Sequence, residues 1–181
     1  MNVVQPIRDQ DKINKMYEHL RSRSERDFMI FLLGICVGLR ISDLLRLKKE
    51  DLYKPHITII EKKTKKTKRF KIPGYIKKYV VPFADQLNDG DFIFKSRQGK
   101  NKPICRSTAY KILNDAAKAC HLQEIGTHTL RKTFGYHHYK VNHDVAILQE
   151  LFNHSKPEIT LRYIGITQDQ IDRSVDKVKL I

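Results

Sequence analysis

Two stretches near the carboxyl end decide how this chain reads: T-H-T-L-R-K-T-F-G-Y at 127–136 and L-F-N-H-S-K-P-E-I-T-L-R-Y-I at 151–164. The first opens a helix expected over about Thr129–Lys140. Positions three apart share a helix face, so His128 and Arg131 can address one ligand. H-x-x-R is a short motif, equally compatible with a capping histidine and a solvated arginine, and gains weight only from its companions. The second stretch ends a helix over Asp144–Phe152 and starts another over Pro157–Ile164, with Pro157 suited to a first helical position. That helix carries Tyr163, nine positions after His154. A tyrosine is usually half-buried packing, and only this spacing sets Tyr163 apart from the other seven. Two histidines, an arginine and a phenol are groups that can shuttle protons, clamp a phosphate and attack it.

Working outward, residues 26–37 are apolar nearly all round from Phe28 onward, which predicts a central buried helix ended by Gly38. Before it, Ile13, Met16, Tyr17 and Leu20 fall on one helical face, capped by Asp9 or Asp11. After it, Ser42 can cap a short helix bearing Leu44, Leu45 and Leu47. Arg40 therefore sits at a tight junction flanked by core and needs a partner or a task; a salt bridge to Asp43 is the structural option. His56–Glu61 and Phe70–Ile72 bracket a polar tip and read as a hairpin. Tyr75–Gln86 reads as helical and Asp91–Phe94 as a third short strand. Ser107 should cap a helix carrying Ala109, Ile112, Leu113, Ala116, Ala117 and Cys120. A last helix over Gln168–Val178 has a narrow apolar side of Ile171, Val175 and Val178.

Charge narrows the partner. The 181 residues hold 35 Lys+Arg against 20 Asp+Glu, a net +15, and seven basic residues with one acid crowd into 61–71. Such a chain suits a polyphosphate partner, because each neutralised phosphate releases a counterion; a merely soluble basic surface would carry the same charge. No apolar run reaches membrane-spanning length, and the amino-terminal dozen residues lack a signal-peptide core. The three cysteines, Cys36, Cys105 and Cys120, have no metal-type spacing, and their odd number points to a reducing cytoplasm. His137, His138 and His143 with His128 form no recognised ligand pattern. A clustered carboxylate set of the kind a two-metal nuclease needs is missing. Neither a metal nor a cofactor is expected.

G-L-R-I-S-D-L-L-R-L at 38–47 resembles the first-arginine box of the tyrosine recombinases, the phage-integrase family. Arg40 stands at the position of that arginine, and Asp43 matches an acidic position that buttresses it. H-S-K-P-E-I-T-L-R-Y resembles the family's last two site residues, at His154 and Tyr163. K-T-K-K-T-K-R-F at 63–70 resembles its K-T-G-K-x-K-R hairpin, where residue matching favours Lys63 as the catalytic lysine and counting back eight from Pro73 favours Lys65. The resemblance implies an α+β, mostly helical catalytic domain over residues 1–181 with a small antiparallel β-sheet. The first-arginine box begins so early that no N-terminal core-binding domain is expected. The implied catalytic set is Arg40, Lys63, His128, Arg131, His154 and Tyr163. Lys62, Lys65, Lys66, Lys68 and Arg69 would contact double-stranded DNA. Tyr163 would attack a scissile phosphate to give a 3′-phosphotyrosine, within copies that self-associate on DNA as a tetrameric synapse. Such a protein would be bacterial or phage-encoded, cytoplasmic and nucleoid-associated. Two other readings stay open: a DNA-binding accessory protein of the same fold, and strand relaxation of the type IB topoisomerase kind.

Overall fold

A computed structural model describes residues 4–60, 67–123 and 125–178. Lys62, Lys63, Lys65 and Lys66, and the expected strand end at Glu61, lie outside the described residues.

Asp9 caps α1 (Gln10–Arg23) by accepting from the amides of Asp11 at 2.7 Å and Lys12 at 3.4 Å. This side chain satisfies N–H groups that the first turn leaves without helical partners. Ile13, Met16 and Leu20 are buried on the face toward α2 (Glu25–Val37), which Ser24 caps. Every residue from Phe28 to Gly34 in α2 is buried, as an apolar helix in the centre of the core requires. Gly38 ends it with φ 74°, a backbone region open to glycine. The next helix, α3 (Ile41–Leu44), starts one residue before the expected cap. Arg40 holds the capping position in extended backbone, and Ser42 lies inside the helix. α4 (Lys49–Tyr53) follows, a single turn too short for a hydrophobic period to reveal.

β1 (His56–Ile60) and β2 (Thr67–Lys71) pair antiparallel, with Ile57 opposite Phe70 and both buried. The sheet among the described residues is this hairpin alone. Asp91–Phe94 does not form the expected third strand; Phe92 makes one isolated bridge with Lys48, and Lys95 another with Pro103. Strand-like composition here serves burial of Ile93 and Phe94, not a ladder. A 3-10 turn (Gly74–Ile76) leads into α5 (Lys77–Asp85). α6 (Arg106–Ala119) is capped at Cys105, two residues before the expected Ser107, whose hydroxyl instead contacts the Cys105 sulfur at 2.9 Å.

α7 (Thr129–Asn142) packs on α2 where Gly34 leaves room: a Cβ there would lie 2.4 Å from Leu130 Cδ1. α8 (Val145–Phe152) is capped by Asp144, which accepts from Ala146 and Ile147 at 2.8 and 3.1 Å. α9 (Pro157–Ile164) turns at Gly165, φ 83°, into α10 (Ile166–Asp176). Tyr136, Leu148, Phe152, Ile164 and Ile166 form a second, smaller core beneath these last helices. The apolar side of α10 stays in solvent, with Ile171 51% and Val175 65% exposed. No described helix is long and apolar enough to cross a membrane.

Candidate active site

Five of the six expected catalytic residues are described, and the fold gathers them from four elements. The sixth, Lys63, and its alternative Lys65 are outside the described residues. Arg40 comes from the α2–α3 junction, His128 and Arg131 from the start of α7, His154 from the α8–α9 turn, and Tyr163 from the end of α9.

The ring of Phe152 is the platform on which they meet. It is fully buried at the last position of α8. The Arg131 guanidinium lies over it at 4.3 Å, and the rings of His154 and Tyr163 meet it edge-on at 5.6 and 5.5 Å. Arg40 Nη2 donates to the Phe152 carbonyl at 3.4 Å. Gly135 makes space for this platform, since a Cβ there would come within 2.8 Å of the Phe152 ring. Phe152 was not among the expected site residues, and one phenylalanine among eight carries no signal of such a role.

Arg131 is only 4% exposed and donates through Nη1 to the Gly38 carbonyl at 2.6 Å. A buried cation must be hydrogen-bonded, and the open carbonyl at the end of α2 supplies an acceptor. The same glycine that ends α2 therefore fixes the second arginine close to the first.

The Tyr163 hydroxyl lies 3.5 Å from His128 Nδ1. Burial pushes the phenol pKa up, while the charges of Arg131 and Arg40 and a hydrogen bond from Arg131 pull it back. Lys132 lies 5.2 Å from the ring centroid and donates to the Val4 carbonyl at 2.6 Å, another contact the sequence did not signal. His128 is held below its ordinary pKa by partial burial first, then by the charges of Arg106, Lys132, Arg131 and Arg40. His154 is pushed down by burial and by Arg131, Arg40 and Lys68. Its Nδ1 meets Thr160 Oγ1 at 3.0 Å, which orients the ring beside Tyr163 at a centroid distance of 5.1 Å. A cationic pocket thus surrounds two histidines kept neutral at pH 7 and one phenol. Such a pocket can hold an anion, accept a proton and present an oxygen nucleophile.

Of the hairpin cations, Arg69 meets His56 Nδ1 at 3.2 Å across the strands, and the Lys68 ammonium bonds the carbonyls of Glu150 and Leu151. His137 bonds the Ile7 carbonyl at 2.9 Å and His138 stacks against Phe134. Neither joins His128.

Residues 8–170 match the model of the phage integrase family. The chain belongs to that family. It is 46% identical over 170 residues to the Bacillus subtilis strain 168 protein named "Probable integrase/recombinase YoeC", covering 93% of each chain. It is 28% identical over 179 residues to tyrosine recombinase XerA of Pyrococcus furiosus, covering 95% of this chain and 61% of XerA. In fold it is similar to the XerH site-specific recombinase solved bound to its palindromic difH substrate after cleavage, with a TM-score of 0.74 and 18% identity, over 97% of this chain and 53% of that one. The chain thus spans nearly all of YoeC and little more than half of the other two. Its helices and two-stranded sheet are those of a tyrosine recombinase catalytic domain.

Proposed function

We propose that this chain is a site-specific DNA recombinase that cuts and rejoins double-stranded DNA through a 3′-phosphotyrosine at Tyr163, with residues 1–181 acting as one catalytic domain. The observation that carries this reading is the Tyr163 hydroxyl 3.5 Å from His128 in the field of Arg131 and Arg40.

Each residue has a task that follows from its chemistry. Guanidinium offers paired donors and stays charged at working pH, so Arg40 and Arg131 hold the two non-bridging oxygens of the scissile phosphate. They gain most as charge builds on the pentacoordinate phosphorus. His128, neutral because its pKa is lowered, takes the phenolic proton as Tyr163 oxygen bonds to phosphorus. His154 donates to a phosphate oxygen. The bond to the 5′-oxygen breaks, and Lys63, or Lys65 by the spacing count, protonates that oxygen. The phosphoester energy is retained in the protein–DNA bond, so a 5′-hydroxyl of another strand can attack and release Tyr163 by the reverse steps. Lys62, Lys65, Lys66 and Arg69 bind backbone phosphates along the duplex. No step requires a metal or an organic cofactor.

The copies assemble on DNA as a tetrameric synapse within the cytoplasm, at the nucleoid. The exposed apolar side of α10 supports self-association, because half or more of Ile171 and Val175 faces solvent in the single chain.

The test is covalent capture. Genomic fragments are incubated with the protein in EDTA, denatured, and the DNA that stays attached is sequenced to find the target. A nicked duplex of that target then traps the cleaved state, because the short strand diffuses away. A protein–DNA band that survives denaturation is the expected result. Binding to the target without any covalent band would leave a DNA-binding accessory protein instead.

A further inference from the structure

Strand β2 alternates as a strand must: Phe70 faces the core, and Lys68, two residues earlier, lies on the same side nearer the tip. Its half-buried side chain runs to α8. The ammonium donates to the Glu150 carbonyl and, at 3.4 Å, to that of Leu151. Thr67, Arg69, Ile147 and Leu151 line a cleft of about 340 Å³ between hairpin and helix, and Lys68 bridges it.

The acceptors are not incidental. Glu150, Leu151 and Phe152 form the last turn of α8, where the helix dipole presents its negative end; the Glu150 carbonyl also takes the Asn153 amide at 3.1 Å, and its second lone pair can serve a cation. Arg40 approaches the same turn and takes the next carbonyl, that of Phe152. Three consecutive carbonyls thus hold two cations from two separate elements, offsetting their mutual repulsion. This turn leads through Asn153 to His154, on which the Lys68 charge also acts.

We propose that Lys68 is a positioning residue for the cleavage step: it docks the lysine-bearing hairpin on the carbonyl end of α8, beside Arg40. The inference rests on the recombinase reading above. It moves Lys68 out of the set that touches DNA and gives it a task inside the protein. The general acid at Lys63 or Lys65 lies a few residues away in sequence, so docking at Lys68 governs whether that acid reaches the leaving 5′-oxygen. A misplacement on the scale of an ångström costs up to a hundredfold in rate.

Lys68→Met keeps the stem and removes the donors; Lys68→Arg restores donors. Single-turnover trapping of the full chain at saturating nicked duplex should be about ten- to a hundredfold slower for Lys68→Met. Lys68→Arg should return to within about threefold of wild type, and DNA affinity of both should stay within about threefold. A duplex with a 5′-bridging sulfur needs no leaving-group proton, so it should restore Lys68→Met. Without DNA, Lys68→Met should raise the His154 pKa in an NMR titration and speed amide exchange at Thr67–Lys71. Wild-type cleavage at saturating DNA in Lys68→Met, a defect confined to affinity, or no sulfur rescue would each overturn the proposal. So would unchanged His154 titration and hairpin exchange. These last two arms need no catalysis, so a wild-type protein that traps no DNA would defeat the recombinase reading while still leaving the docking contact decided.

Discussion

The molecule has two cores of unequal size, and the candidate site straddles their border. The larger one surrounds α2, where Phe28, Met29, Ile30, Phe31 and Leu33 are each at most 2% exposed. Among the described residues the smaller one holds five buried hydrophobic residues, contributed by α7 to α10. The first arginine and the carbonyl that anchors the second come from the end of α2 on the large side. Tyr163 and His154 come from the small side. A well-buried frame for the proposed phosphate clamp is thereby joined to a lightly anchored segment carrying the proposed nucleophile. Regions with few buried apolar contacts open at lower free energy than the global fold. On the proposed reading, the segment that forms and releases a covalent bond to DNA is thus the one that can move without unfolding the rest.

The strongest test of that division is Tyr163→Phe. It removes one oxygen from the small side, so covalent adduct should vanish while DNA affinity stays within a few-fold. Adduct persisting on denaturing gels would remove Tyr163 as nucleophile. Next, Phe152→Ala should cost about 3–5 kcal/mol, and the loss should fall on the small core. Amide exchange should show α8 and α9 losing protection while α2 keeps its own. Uniform loss across both would mean that the two cores open as one.

The two arginines sharpen the comparison further. Arg40→Ala and Arg131→Ala should each cost about 2.7–4 kcal/mol in the cleavage step, the range for one transition-state donor. Arg131 is buried and Arg40 is at the surface. Only Arg131→Ala should therefore also lower the unfolding midpoint; Arg40→Ala should change stability by no more than about 0.5 kcal/mol. Equal destabilisation by both, in urea melts, would break the assignment of Arg131 to the frame.

Acid should strike the small side first. His128, His138 and His154 all have pKa values pushed below the ordinary one, chiefly by burial. The unfolded chain thus binds more protons than the folded one as pH falls from about 6.5 toward the depressed values. Stability is full above that window and is lost on descending through it. Thermal melts should shift down between about pH 7.5 and 5, and His154→Gln should reduce the shift. With neutral His128 as the proposed base, the second-order rate of trapping in the same range should hold at pH 6.5 and fall only below it. A fall centred above 6.5 would exclude His128 from that part.

The smallest effect on the isolated chain should come from α10. Ile171→Asp with Val175→Asp should leave stability within about 0.5 kcal/mol, since both side chains already face water. Binding to a half-site should be unchanged and cooperative binding to a full site weakened. Equal cooperativity in gel shifts would show that α10 is not the contact between copies.

Periodicity and short-range chemistry account for most of the helices. Apolar residues all round α2, Asp9 as one of two candidate caps, Gly38 and Pro157 are local signals with local causes, and each stands where the residues placed it. Residue type and spacing paired His128 with Arg131 and His154 with Tyr163, and the resemblance of 38–47 to the family's first-arginine box added Arg40 to that set. Where local signals were ambiguous, tertiary packing chose. Asp91–Phe94 has strand composition but finds no partner for a ladder, and the serines at 42 and 107 lose the capping positions to their neighbours. The Phe152 platform, the Arg131 bond to Gly38 and the Lys68 reach to α8 had no signature at all, because each joins residues distant in the chain through a backbone carbonyl or an apolar ring that any sequence supplies in plenty. Residue type and spacing determined which groups can do the chemistry. Only the packing of α7, α8 and α9 over the end of α2 decided how far apart they stand, which of them are buried, and hence which way their proton affinities move.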